Sequence, residues 1–170
     1  MTEAETTLVA LQQALEERFL DSVEFRDQLT AVLQPEAVVE ACQFLKRRDF
    51  DLLIALTAAD HWPEEPRFEM VYQLFSVKLN ALIGLSVSLE GDEPKVPSIE
   101  SVYPSANWHE REVFDMFGID FPGHSDLRRI LMPHDWEGHP LRKNYPLGYE
   151  EVQFSFNFDD IDRRKKYAKD

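Results

Sequence analysis

Apolar Leu8, Leu11, Leu15 and Phe19 recur at helical spacing, which predicts an amphipathic helix over 4–19. Asp21-Ser22 interrupts that pattern, and Val23-Glu24-Phe25 and Leu29 to Leu33 read as two short strands. Pro35, suited to a first helical position, opens a second helix with Val38, Ala41, Cys42 and Leu45 on its apolar stripe. Lys46-Arg47-Arg48 close it, where the helix dipole favours cations. Asp51 to Ala59 is apolar on both faces and therefore reads as a central strand. Phe68, Met70, Tyr72 and Leu74 alternate with polar residues, as do Leu79, Ala81, Ile83, Leu85, Val87 and Leu89. A turn at Lys78–Asn80 makes the last two strands an antiparallel hairpin.

This order, α-β-β-α-β-β-β, predicts a two-layer α+β domain over residues 1–90, with helices packed on one face of a mostly antiparallel or mixed sheet. Residues 91–106, with Gly91 and the prolines of Glu93-Pro94-Lys95-Val96-Pro97, read as a linker leading out of it. Residues 107–170 are then a short helix followed by an extended C-terminal arm.

Within that arm Asn107 is the expected helix cap and Gly118 the expected C-terminal stop. Helical spacing puts Val113, Phe114 and Phe117 on one side with Glu110 among them, and Trp108, Arg111, Glu112 and Asp115 on the other. A buried carboxylate needs a cation or several donors, so Glu110 is expected to be held by Arg128, Arg129 or Arg142. Trp108 on a charged face is either an interface anchor or is packed under its own arm. Phe154, Phe156 and Phe158 alternate before Arg163-Arg164-Lys165-Lys166, reading as an edge strand added to a partner or as a disordered basic tail.

Charge narrows the function. The net charge of −14 argues against nucleic acid and anionic lipid as partners. It is uneven: residues 1–108 carry −11 and residues 109–170 only −3, a near balance that suits burial against protein. No apolar run approaches the roughly 20 residues of a membrane span, and the acidic N-terminus does not fit a signal peptide, so an intracellular protein is expected. The single cysteine, Cys42, excludes a disulfide framework and a cysteine-held iron–sulfur cluster, and reads as a small buried hydrophobe. The five histidines lack metal-ligand spacing, and no phosphate loop or nucleophile elbow is present, so no active site is expected on the chain.

Several segments carry a family likeness. Arg67-Phe68-Glu69-Met70-Val71-Tyr72, Val96-Pro97-Ser98, Glu110-Arg111-Glu112 and Asp115-Met116-Phe117-Gly118-Ile119 resemble, in order and register, the C subunit of respiratory complex I. So do Gly123-His124, Asp126-Leu127-Arg128-Arg129-Ile130-Leu131 and Asp135-Trp136-Glu137-Gly138-His139-Pro140-Leu141-Arg142-Lys143. Complex I is the proton-translocating NADH:quinone oxidoreductase, and the likeness is to the form not fused to the D subunit. It implies a cofactor-free peripheral-arm subunit on the cytoplasmic side of the membrane, not expected to function alone. It further implies an arm that wraps the D subunit, which together with the B subunit forms the quinone chamber, while FMN, iron–sulfur clusters and quinone sit on other subunits. Carried onto this chain, Glu110, Arg111, Glu112, Asp115, Arg128, Arg129, Asp135, Trp136, Arg142 and Lys143 become arm ion-pair or interface residues, with Trp108 beside them.

Two alternatives stand beside this. The same role occurs in related ferredoxin-dependent complexes and membrane-bound hydrogenases, whose donor sites lie elsewhere. A free-standing soluble enzyme would instead use Glu110, Glu112 and the histidines as acids and bases.

Overall fold

The computed structural model describes residues 2–26, 28–146, 159 and 163. The elements are α1 (Glu3–Leu15), β1 (Phe19–Phe25), β2 (Gln28–Leu33), α2 (Val38–Lys46), β3 (Leu52–Asp60), β4 (Phe68–Ser76), β5 (Ala81–Leu89) and α3 (Ala106–Phe117). Thr2 caps α1 in a reciprocal box: its hydroxyl accepts from the Glu5 N–H at 3.2 Å, and its own N–H donates to Glu5 Oε2 at 2.7 Å. Single 3₁₀ turns at Glu16–Arg18 and Pro35–Ala37 lead into β1 and α2.

One five-stranded sheet runs in the order β1-β2-β5-β4-β3. Its pairs are antiparallel except β2 with β5, which is parallel, so the sheet is mixed as expected. The β4–β5 hairpin turns at the expected place, with Asn80 at φ 47°, a left-handed conformation that asparagine tolerates. Apolar cross-strand layers on one face, such as Leu56-Tyr72-Leu85-Ala31, are buried beneath the helices.

Three expectations are corrected. Phe19 is not the last turn of α1: the helix stops at Leu15 and Phe19 begins β1, its ring still inside the core. Asp21 and Ser22 lie within β1, because the pairing with β2 absorbs an irregularity between Phe19 and Asp21 rather than ending the strand. β3 is an edge strand, not a central one: Leu52 and Ile54 stand about half exposed, and its two-faced apolarity serves α3 on the inside only.

Residues 91–106, expected as a linker, place Val96, Ile99, Val102 and Tyr103 in the same core as the sheet. The Tyr103 hydroxyl donates to the Phe50 carbonyl at 2.7 Å, tying this segment to the loop before β3. An isolated parallel bridge between Lys95 and Asp120 joins it to the chain just beyond α3. α3 is therefore seated by the core and held in place before the arm begins. The Phe154, Phe156 and Phe158 alternation lies outside the described residues.

Candidate functional site: an arm clamped to α3

Helix α3 is where the site is built. Ser105, not Asn107, is its N-terminal boundary, and Gly118 ends it in the left-handed conformation at φ 71°. Asn107 instead turns its side-chain amide outward along the first turn and donates to Glu100 Oε1 at 2.8 Å. Glu100 also accepts from the Ser125 hydroxyl and N–H at 2.7 and 2.8 Å. Those Ser125 donors, with the Asn107 amide, hold the Glu100 carboxyl at about 2.

Glu110 is fully buried, as its place on the apolar face predicts, but its partners are not arginines. It accepts from the Ser98 hydroxyl at 2.6 Å and the Ile99 N–H at 2.8 Å. The expected arginine pairing is thus corrected: two donors from the segment before α3 satisfy the carboxylate. Burial pushes its pKa up against those two hydrogen bonds. The His124 side chain, wholly buried, lies 4.0 Å from both Glu110 and Glu100. Its Nδ1 accepts from the Asp126 N–H at 3.0 Å and its Nε2 faces the Asn107 carbonyl at 3.1 Å, which sets the Nε2–H tautomer.

The opposite side of α3 is covered by the arm. Asp115 Oδ2 accepts from three successive backbone N–H groups, Ile130, Leu131 and Met132, at 3.0, 2.7 and 2.8 Å. Its other oxygen takes Arg129 Nη1 at 2.6 Å. Burial alone works against ionisation of Asp115, but these N–H donors and the guanidinium prevail and hold its pKa below the ordinary carboxylate value. Arg129 Nη2 then reaches the carbonyls of Trp136 and Gly138, both at 2.8 Å. One carboxylate and one guanidinium thereby fold residues 129–138 into a loop over α3. The indole Nε1 of half-buried Trp136 is enclosed without a hydrogen-bond partner among the described residues.

Arg111 joins the same seam, donating to the carbonyls of Arg128 and Arg129 at 3.1 and 3.2 Å. Its guanidinium also lies 5.2 Å from the Trp108 ring centroid, and Trp108 remains 62% exposed. At the far end of α3 the Leu141 N–H donates to the Met116 carbonyl at 3.0 Å. Arg142 donates to the carbonyls of Phe117 and Gly118, capping the helix C-terminus with a cation. Close packing here needs a glycine, since a Cβ at Gly118 would meet the His139 ring at 2.5 Å.

The second attachment was not foreseen. Arg67, 3% exposed, forks onto Asp60 with two contacts of 3.1 Å, and also binds Asp92 and, at 2.7 Å, Asn144 Oδ1. The Lys143 N–H donates to Asp60 Oδ2 at 2.8 Å. Burial of Asp60 is outweighed by Arg67 and by the Lys143 and Trp62 N–H groups, which bring its carboxyl to about 2. Arg67 and Arg142 stack their guanidinium groups 4.7 and 5.3 Å from the Phe68 centroid. The arm's end is thus tied to the ends of β3 and β4.

Of the residues singled out from sequence, Glu110, Arg111, Asp115, Arg129, Arg142 and, through its backbone, Lys143 hold the chain to itself. Trp136 contributes its carbonyl. The side chains of Glu112, Arg128 and Asp135 are exposed, though the Arg128 carbonyl accepts from Arg111 and its Nε lies 2.7 Å from Asp126. Sequence reading missed Asp60, Ser98, Glu100, His124 and Asn144 as partners. Arg67 lay inside the family likeness, the one signal that pointed toward it. Among the described residues no group of three or more His, Cys, Asp or Glu side chains could hold a metal ion.

An α+β scaffold with a self-clamped C-terminal arm is the architecture so defined. The family model described as respiratory-chain NADH dehydrogenase, 30 Kd subunit, matches residues 31–151. The NADH-quinone oxidoreductase C subunit of Roseiflexus sp. (strain RS-1) is 48% identical over 168 residues, 97% of each chain. Its namesake from Geobacter sulfurreducens is 40% identical, over 86% of this chain and 92% of the relative. Among solved structures, the trypsin-resistant fragment (1–134) of Nqo5 superposes with a TM-score of 0.64 at 28% identity, over 72% of this chain and 98% of that one. A chain of the archaeal membrane-bound sulfane sulfur reductase shares the fold, with a TM-score of 0.73 at 22% identity over 98% of this chain and 95% of that one. The chain belongs to the 30 kDa subunit family of respiratory-chain NADH dehydrogenase, and is part of a complex I-like NADH–quinone oxidoreductase.

Proposed function

We propose that this chain is a cofactor-free assembly component of the peripheral arm, standing on the cytoplasmic side of the membrane and contacting the D subunit, next to the B subunit and the quinone chamber. FMN, the iron–sulfur clusters and quinone belong to other subunits, and no chemical step runs on this chain. The observation that carries this reading is the Asp115–Arg129 clamp. Glu110 is buried against Ser98 and Ile99, and Asp115 and Arg129 are engaged in shaping the arm. What the clamped arm leaves outward is Trp108, Leu131 and Leu141, each more than half exposed. An exposed tryptophan on α3 steadied by a stacked guanidinium, with exposed aliphatic side chains on the arm that follows, has the composition of an interface anchor. Because its backbone is already fixed, docking loses little conformational entropy. No helix among the described residues is long and apolar enough to cross a membrane.

The test is a pull-down of the tagged chain from gently solubilised membranes, with cross-linking from position 131. The D subunit, iron–sulfur subunits and quinone reductase activity are expected in the eluate, with cross-links from Leu131 to the D subunit. Recovery of the chain without iron–sulfur partners, or cross-links to none of them, contradicts the reading.

A further inference from the structure

Where the arm sets out across α3, one imidazole is packed between two carboxylates. The His124 side chain is wholly buried, with Nδ1 4.0 Å from Glu100 Oε2 and Nε2 4.0 Å from Glu110 Oε2. Neither approach is a hydrogen bond. Nε2–H donates instead to the Asn107 carbonyl at 3.1 Å, and Nδ1 accepts the Asp126 N–H at 3.0 Å. The Asp126 bond exists only while Nδ1 carries no proton, because two donors cannot share that contact. Both carboxylates nevertheless favour a cation in the same place. Glu100 is an anion near neutrality, its donors holding it at about 2. Glu110 is buried at a cost that a positive charge on His124 reduces. The Cys42 thiol and the Tyr72 hydroxyl, which also feel the Glu110 charge, are kept neutral by burial. On the arm itself Asp126 is paired with Arg128.

We propose that His124 is a proton-operated latch on the head of the arm: neutral, it holds the Asp126 N–H; protonated, it gives up that bond and turns Nδ1–H to Glu100. The proton has a way in, since the Glu100 side chain, on the Nδ1 side of the ring, is 21% exposed. The released piece is short. Ser125 stays on Glu100 through its hydroxyl and N–H, and a carboxylate has lone pairs left for Nδ1–H. Arg111 keeps the carbonyls of Arg128 and Arg129. Asp126 and Leu127 are therefore the residues set free, between two fixed points. The latch follows from hydrogen-bond geometry alone; its bearing on docking rests on the assembly role proposed above.

Long-range nitrogen–proton NMR of the isotope-labelled full-length chain tests it, from about pH 8 to about pH 5, where imidazoles change charge. The His124 ring is expected to begin as the neutral Nε2–H tautomer and to become an imidazolium within that span. In step with it, the protection factor of the Asp126 amide should fall about tenfold, while that of Ser125 stays within about twofold. A ring already charged at the upper end, or still neutral at the lower, overturns the latch. So does a ring that titrates with Asp126 still protected. His124→Asn is the control: its Oδ1 accepts the Asp126 N–H and does not titrate, so Asp126 should stay protected throughout. Loss of that protection with falling pH in His124→Asn would put the proton on Glu110 and overturn the assignment to His124. If this variant does not fold, the wild-type titration decides alone. A failed pull-down leaves the titration untouched, so the latch and the assembly reading fall separately.

Discussion

Arg129 Nη1 lies 2.6 Å from Asp115 Oδ1, and the other oxygen of that carboxylate accepts three backbone N–H groups of the same arm. The pair is intramolecular and nearly dry, with side-chain exposures of 14% and 0%. Removing one partner of such a pair strands the other and its attached backbone. Asp115→Ala is expected to cost about 3–5 kcal/mol, read from urea denaturation. Asp115→Asn should lose most of that, since its amide cannot accept on both sides and turns N–H donors toward Arg129. A loss below about 1 kcal/mol for Asp115→Ala would place the arm's stability elsewhere.

The second attachment makes a separable prediction. Arg67→Ala leaves Asp60 buried without its cation, so a loss of about 3–5 kcal/mol is expected. Arg67→Lys keeps the charge but not the two-pronged geometry, and should restore less than half of it. Native-state hydrogen exchange of residues 140–146 should quicken in both variants while residues 130–132 stay protected. Equal quickening of both stretches would mean a single cooperative clamp.

Glu110 and the clamp carboxylates respond to pH with opposite signs. Asp60 and Glu100, at about 2, and Asp115, also lowered, add stability that is complete above the ordinary carboxylate pKa and is lost as pH falls toward 2. The Glu110 pKa is raised, so protonating it as pH falls from neutral toward about 4.5 favours the fold. Denaturant unfolding of wild type and Glu110→Gln at several pH values separates the two. The wild type should gain on the variant between pH 7 and about 5, and both should weaken below about pH 4. Parallel curves between pH 7 and 5 would mean that Glu110 contributes nothing to the pH dependence.

Trp108 should matter to assembly and little to folding. Its stacked contact with Arg111 is exposed and contributes about 0.5–1 kcal/mol, so Trp108→Ala should melt near wild type. Recovery of the variant in the complex should fall by the equivalent of about 2 kcal/mol or more. A variant that melts far lower, yet assembles normally when folded, would make Trp108 a packing residue under its own arm.

Patterning showed the helices, the β4–β5 hairpin and the Gly118 stop, because each follows from local periodicity or backbone conformation. It also put Glu110 on a buried face. It could not rank strands within the sheet: a nine-residue apolar run reads alike whether both faces are covered or one lies open at an edge. Partners of buried charges were equally hidden. Ser98 and Ile99 precede Glu110 by a dozen residues or so and satisfy it with a hydroxyl and a main-chain N–H. The Asp115 nest is built from backbone donors that every sequence possesses, so only the fold reveals it. Arg67 and Asp60 lie 77 and 83 residues from their arm contacts at Asn144 and Lys143, a separation no spacing rule reaches.

An arm shaped by its own chain must be ordered before any neighbour arrives. Hydrogen exchange of the Ile130, Leu131 and Met132 amides in the isolated full-length chain addresses this. Protection of at least about a hundredfold is expected in wild type, largely abolished in Asp115→Ala. Exchange of those three amides at the rate of an unstructured peptide in the isolated chain, with protection gained only in the complex, would contradict it.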